Sequence, residues 1–173
     1  MYLISVYFEE KSNRELQRHI DNIAEVTGNT FMTDNNVPPH MTITSIEARS
    51  GELLTPAFEA AASRLETGKI IIPTIGMLLP YVLYAGVIPN SYLLKMQQAF
   101  INEIGKLPEV SFSKYYQQDS WLPHITLGKT LEQQQMKAAF EVLQKHFKPF
   151  EAKVVSVGLA KTNPHEDITI RHF

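Results

Sequence analysis

The feature that most constrains this chain is a six-residue pattern that occurs twice, as Pro38-Pro39-His40-Met41-Thr42-Ile43 and as Leu122-Pro123-His124-Ile125-Thr126-Leu127. On an extended strand alternate side chains share a face. His40 and Thr42 therefore point one way while Met41 and Ile43 point the other, and His124 and Thr126 oppose Ile125 and Leu127 in the same manner. Each strand offers an imidazole and a hydroxyl on one surface and anchors itself through apolar residues on the opposite one. One copy alone reads as an ordinary half-buried strand. Two copies, each preceded by proline, predict a site built on rigid elements.

The elements around the two copies repeat as well. Tyr2 to Phe8 reads as a strand. Ser12 and Glu15 have capping-box spacing ahead of Leu16, Ile20 and Ile23 on one helical face, and Gly28 is a natural stop. A polar loop, Asn29 to Pro39, leads into the first motif strand; it reads as a plain connector, and its length, with Phe31 and Met32 in it, hints alternatively at a flap over a site. Thr55 followed by Pro56 predicts a helix through Leu65, and Lys69 to Leu79 a strand. From Tyr81 the order restarts with a strand to Ile88, a helix capped at Asn90 or Ser91 that ends near Gly105, and a loop through Lys114, Tyr115, Tyr116 and Trp121 into the second motif strand. Thr130 and Gln133 open a further helix that closes near His146. Glu151 to Lys161 is a strand, Asn163-Pro164-His165 a turn, and Ile168 to Phe173 a last strand in which His172 alternates with Ile168 and Ile170 as a core residue. The motif histidines lie 84 positions apart, and Ile75-Gly76-Met77 and Val157-Gly158-Leu159 recur at nearly that offset. This pattern predicts an internal duplication, a single bilobal domain over 1–173 with pseudo-repeats of about 1–80 and 81–173. An approximate two-fold axis would bring the motif strands face to face across a cleft.

At 173 residues and 44% hydrophobic content the chain can bury a substantial core. A formal net charge of −2 argues against a surface that grips long nucleic acid by neutralising phosphates. The absence of cysteine excludes disulfides, thiolate chemistry and cysteine zinc sites. Ile70 to Leu94 carries no charged residue and is long enough to suggest a membrane span, but Pro73, Pro80 and Pro89, with Gly76 and Gly86, would break a helix there and favour strands. The N-terminus runs straight into Glu9 and Glu10 without a basic leader, so a cytoplasmic protein is expected, with no membrane association.

Histidine titrates near pH 6.5, so two imidazoles in one cleft can rest with one protonated and one not, as general acid and general base. Phosphodiester chemistry suits such a pair, because a water must be deprotonated on one side and a leaving alkoxide protonated on the other. The hydroxyls of Thr42 and Thr126 can donate to the non-bridging phosphoryl oxygens between them. No cofactor and no metal are called for, since no further His, Asp or Glu stands at ligand spacing beside either motif. Tyr115, Tyr116 and Trp121 are candidates for stacking a nucleobase, Tyr84 for lining the cleft, and Lys129, Lys161 and Arg171 for contacting a phosphate. His19 and His146 fall on predicted helices and need no functional role.

The two motifs, the duplicated strand–helix order and the overall length resemble the two-histidine (2H) phosphoesterase superfamily, which includes bacterial 2′-5′ RNA ligase-like proteins and cyclic nucleotide phosphodiesterases. The family pattern of histidine, any residue, threonine and a hydrophobic residue is matched by His40, Thr42 and Ile43 and by His124, Thr126 and Leu127. The resemblance implies a bilobal α+β fold with two antiparallel sheets around a central cleft and helices outside. It also implies metal-independent hydrolysis or ligation at 2′,3′-cyclic or 2′,5′-linked phosphates of a nucleotide or short RNA; no stable protein partner is implied. Some RNA ligase-like members carry an arginine shortly after the second motif, where this chain has Lys129. The lysine keeps the charge and loses the planar fork, which counts against ligation and tRNA-type substrates. A non-catalytic nucleotide- or RNA-binding module using the same cleft is the competing reading.

Overall fold

The computed structural model describes residues 1–35, 37–162 and 166–173, so the turn expected at Asn163-Pro164-His165 lies outside the described residues. The fold is mixed α+β. Its strands are β1 (Tyr2–Phe8), β2 (Met41–Glu47), β3 (Gly68–Ile72), β4 (Thr74–Leu78), β5 (Val82–Gly86), β6 (Ser111–Phe112), β7 (His124–Gly128), β8 (Phe150–Lys161) and β9 (Glu166–His172). All pairings are antiparallel, in the order β3-β8-β1-β2-β7-β5-β4, with β6 added to β2 and β9 to β8. The two halves of this sheet, β3-β8-β1-β2 and β7-β5-β4, meet at one residue pair, Met41 with Ile125. The two motif strands thus start side by side and then part.

Pro73 explains how the chain passes between the halves. It has no N–H to give to a ladder and separates β3, which pairs with β8, from β4, which pairs with β5. The uncharged run from Ile70 is therefore sheet, and among the described residues no helix is long and apolar enough to cross a membrane.

The helices are α1 (Glu10–Thr27), α2 (Phe31–Asp34), α3 (Gly51–Ala62), α4 (Ser91–Ile104) and α5 (Gln133–His146); α1 packs on α5 and α3 on α4. Three starts differ from the sequence reading, each for a local reason. In α1 the inward stripe of Ser12, Leu16, His19, Ile20 and Ile23 begins at Ser12 itself, so the helix opens earlier, and the Ser12 hydroxyl donates to Glu9 Oε1 at 3.2 Å instead of capping. α3 is capped by Ser50, whose Oγ accepts from Leu53 N at 3.4 Å, and Pro56 lies inside the helix. Burial of Leu54 one turn before Phe58 carries the apolar face through the proline. Thr130 has a φ of 58°, unsuited to an N-cap, so the capping box forms two residues later between Glu132 and Gln135. Gly28, with φ 66°, stops α1 as expected, and Asn90 caps α4. At the far edge, His172 on β9 is exposed and not a core residue, because β9 is an edge strand whose only ladder is with β8.

Met41, Ile43, Ile125 and Leu127 are each 0% exposed. Their burial contributes about 1.5–3 kcal/mol apiece, which fixes the facing of the motif strands. The recurring glycines have a common steric reason. A Cβ on Gly76 would lie 2.5 Å from Cζ and Oη of Tyr84, and one on Gly158 would lie 2.9 Å from Cε2 of Tyr7. Each glycine makes room for a tyrosine ring that lies over the neighbouring strand.

Candidate active site

From the proline before each histidine onward, the two motifs have the same burial residue by residue. Pro39 and Pro123 are buried, His40 and His124 half-buried, Met41 and Ile125 buried, Thr42 and Thr126 half-buried, and Ile43 and Leu127 buried. His40, Thr42, His124, Thr126 and Lys129 line one cleft of about 240 Å³, walled by Leu3, Phe31, Met32, Val37, Leu78 and Val82 and by Tyr116. The antiparallel pair Met41–Ile125 joins the two motif strands that carry these residues. A larger cavity of about 550 Å³ lies elsewhere and is lined by Glu9, Lys11, Ser12, Glu15, Lys69, Phe150, Glu151 and Lys153. It has no imidazole, and its Lys69 Nζ is paired with Glu151 Oε1 at 2.7 Å.

Both imidazoles are oriented by the same bond. Nδ1 of His40 lies 2.8 Å from Pro38 O, and Nδ1 of His124 lies 2.8 Å from Leu122 O. A carbonyl oxygen only accepts, so each Nδ1 must carry the proton. In the neutral ring the lone pair is then on Nε2, and in the imidazolium the added proton is on Nε2. Each ring can accept or donate one proton there without turning. The Tyr84 ring meets the His124 ring edge-on, with centroids 5.3 Å apart and planes at 61°, and fixes it from the β5 side.

Thr42 is held by two groups. Its Oγ1 lies 3.4 Å from Ser5 Oγ on the adjoining strand, its carbonyl accepts from Trp121 Nε1 at 3.2 Å, and Tyr116 lines the same cleft. Burial pushes the Tyr116 phenol up from its ordinary pKa of 10.0, so it remains a neutral hydroxyl. At the mouth, Lys129 Nζ stands 5.4 Å from the Phe31 ring centroid.

Of the weaker candidates, Lys129 lines the cleft and Tyr84 touches His124, but Trp121 packs against the core and acts on Thr42 from behind. Tyr115 does not line the cleft: it is 67% exposed, with Lys114 Nζ 5.2 Å from its ring centroid. Lys114–Tyr116 forms a 3₁₀ turn, which rotates successive side chains by about 120° and brings Tyr116 inward in place of Tyr115. Ser5 is a contact the sequence reading missed, although its position on alternating β1 pointed to it. Phe31 and Met32, from the loop that hinted at a flap, belong to the cleft wall. Among the described residues no group of three or more His, Cys, Asp or Glu side chains is placed to hold a metal ion.

Several solved structures are similar to the chain along nearly its whole length. A structure described as a phosphoesterase is 14% identical, with a TM-score of 0.64, over 99% of this chain and 97% of that chain. E. coli LigT complexed with 3′-AMP is 11% identical, with a TM-score of 0.65, over 99% and 97%. TT0787 of Thermus thermophilus is 16% identical, with a TM-score of 0.63, over 99% and 96%. At such identities the likeness is one of fold. No curated protein matches the chain in sequence. The family model of the 2′-5′ RNA ligase superfamily matches residues 13–166, which include both motifs, and the chain therefore belongs to that superfamily.

Proposed function

We propose that the protein is a metal-independent phosphodiesterase acting on 2′,3′-cyclic or 2′,5′-linked phosphodiesters of nucleotides or short RNA ends, with His40 and His124 as its acid–base pair. Membership of the superfamily supports phosphoesterase-type chemistry. The fold relative E. coli LigT is described in complexes with 3′-AMP, ATP and NADP⁺, which supports a nucleotide as ligand. The observation that carries the reading is the matched pair of rings, each bonded through Nδ1 to the carbonyl two residues before it and lining one cleft with a threonine. In this scheme Nε2 of one neutral ring takes a proton from water, the water oxygen attacks phosphorus, and the P–O bond to the ribose oxygen breaks. Nε2–H of the other ring, an imidazolium, gives its proton to the departing oxygen. Thr42 and Thr126 donate to the non-bridging oxygens as charge grows on them. Lys129 draws the anion to the mouth. A cytoplasmic setting, the absence of a protein partner and the origin of the single bilobal domain in two pseudo-repeats belong to the same proposal; the matching sequence and burial of the two motifs support the last.

The test is an assay of 2′,3′-cyclic mononucleotides, cyclic-ended oligoribonucleotides, 2′,5′-linked oligoadenylates and ADP-ribose cyclic phosphate. Turnover of at least one is expected, with a bell-shaped pH profile and no loss on chelation. His40→Ala and His124→Ala should each lower kcat by about 10²–10⁴-fold, and the double variant should cost little more than either. Tight binding without turnover across the panel would favour the binding module instead. A rate abolished by chelation would sink the metal-free scheme.

A further inference from the structure

The turn after β7 carries backbone strain at the mouth of the cleft. Thr130 has a φ of 58°, a left-handed conformation that is unfavourable for a β-branched residue and persists only where its surroundings hold it. Two groups distant in sequence do so. Leu131 N donates to Tyr81 O at 3.0 Å, and Leu131 is 0% exposed, which pins the far side of the turn to the β4–β5 hairpin. Asn29 Nδ2 donates to Thr130 O at 3.1 Å and lies 3.4 Å from Thr130 Oγ1, which itself donates to Lys129 O at 2.6 Å. Asn29 Oδ1 accepts from Phe31 N at 3.2 Å. A carbonyl only accepts and a backbone N–H only donates, so these partners permit one orientation of the amide. Asn29 thus joins segments 101 positions apart, the loop that brings Phe31 to the cleft wall and the turn that carries Lys129. Between the two ends of that bridge, Lys129 Nζ stands 5.4 Å from the Phe31 ring centroid.

We propose that Asn29 is a positioning residue that aims the Lys129 ammonium at the cleft mouth. Its amide fixes the Thr130 carbonyl, the left-handed Thr130 sets the direction in which the chain leaves Lys129, and the face of Phe31 receives the ammonium. Lys129 is exposed and has a long, flexible stem, so a turn released from Asn29 would spread its charge through the solvent around the mouth. A cation at the entrance attracts an incoming phosphate before any bond is made or broken. It therefore contributes to binding and leaves the chemical step alone. Asn29 governs affinity for an anionic ligand through Lys129, apart from the proton transfers assigned to His40 and His124.

The kinetic arm of the test rests on the phosphodiesterase reading; the spectroscopic arm does not. With 2′,3′-cyclic AMP as substrate, Asn29→Ala should raise KM about fivefold and change kcat by less than about twofold. Lys129→Ala should raise KM at least as much, and adding Asn29→Ala to it should bring less than about a further twofold, because the amide acts through the lysine. Calorimetric titration with 3′-AMP should give the same pattern in Kd without turnover. A merely structural role for Asn29 would weaken binding equally with and without Lys129. In a proton–carbon NMR spectrum the ring current of Phe31 should set the Lys129 ε-methylene upfield of the other lysines, the signal being assigned by its loss in Lys129→Ala. Asn29→Ala should return that signal to the common position. Losses that simply multiply, a loss confined to kcat, or an unmoved Lys129 signal in folded Asn29→Ala would overturn the proposal. If Asn29→Ala does not fold, Asn29→Asp decides, since it keeps the acceptor for Phe31 N and removes the donor to Thr130 O: a moved Lys129 signal supports the proposal and an unmoved one overturns it. Failure of the wild type to turn over any diester would overturn the functional reading while leaving the Lys129 signal to decide on Asn29.

Discussion

Gly76→Ala separates two physical effects of opposite sign. Gly76 pairs with Tyr84 across β4 and β5, and an added Cβ would stand 2.5 Å from Cζ and Oη and 3.0 Å from Cε2 of that ring. Carbon atoms in ordinary contact are no closer than about 3.4 Å, so the ring must retreat by about 1 Å. It is not free to do so, because its edge already lies against His124. Overpacking of this kind costs about 1–3 kcal/mol. Without the clash, replacing a strand glycine by alanine would stabilise the protein by about 0.4–1 kcal/mol, since the unfolded chain has less freedom to lose. For a chain of this length 1 kcal/mol moves Tm by about 2–4 °C, so the clash predicts a fall of several degrees where glycine entropy alone predicts a rise. The displaced ring also pushes on His124, and a 1 Å error at an acid–base group can cost about 10²-fold in rate. Calorimetry and cyclic-phosphate turnover should therefore fall together. Gly76→Ala combined with Tyr84→Ala should be more stable than the two single losses predict, because the clash is then gone. A Tm that rises, or strict additivity in the double variant, would refute the reasoning.

Two further predictions concern stability. His19 is 0% exposed, with its ring centroid 5.5 Å from that of Phe147 and Nε2 3.4 Å from Glu15 Oε1; burial holds its pKa below the usual 6.5 despite the pull of Glu15. Below pH 6.5 the unfolded chain binds a proton that the folded chain does not, so this contribution to stability is present above that pH and is lost as the pH falls toward the folded value. Urea unfolding at pH 5 and 7.5 should show a larger drop for the wild type than for His19→Leu, and equal drops would exclude His19 as the source. Asn90 Oδ1 accepts from Leu93 N at 3.0 Å and Nδ2 donates to Lys69 O at 2.9 Å, so Asn90→Ala should cost about 1–2 kcal/mol, read as a shifted urea midpoint at constant m. An unmoved midpoint would show that neither bond contributes.

Much of the fold is legible in the sequence because it rests on local patterns. Alternation around His40 and His124, Gly28 after an amphipathic run and Asn90 before another are signals carried by neighbours in the chain. The starts of α1, α3 and α5 depart from the local signals where distant burial or backbone conformation decides, as with buried Ser12, Leu54 ahead of Pro56, and Thr130 at positive φ. Around the cleft, the sequence points to His40, Thr42, His124, Thr126 and Lys129, which share its lining. It points to Tyr115 and Tyr116 alike, and only the structure separates them, with Tyr116 lining the cleft and Tyr115 exposed, because one step along a 3₁₀ turn cannot be read from composition.

By itself the sequence determined which faces of two strands carry imidazole and hydroxyl, since a period of two is a property of any extended chain and apolar Met41, Ile43, Ile125 and Leu127 permit only one facing. Only the tertiary structure decided that these strands meet at a single pair and then part, how Asn29 and Trp121 reach carbonyls distant in sequence, and which proton each ring carries. Those outcomes depend on atoms distant in sequence, where the carbonyl, amide or ring that completes a bond leaves no periodic trace along the chain.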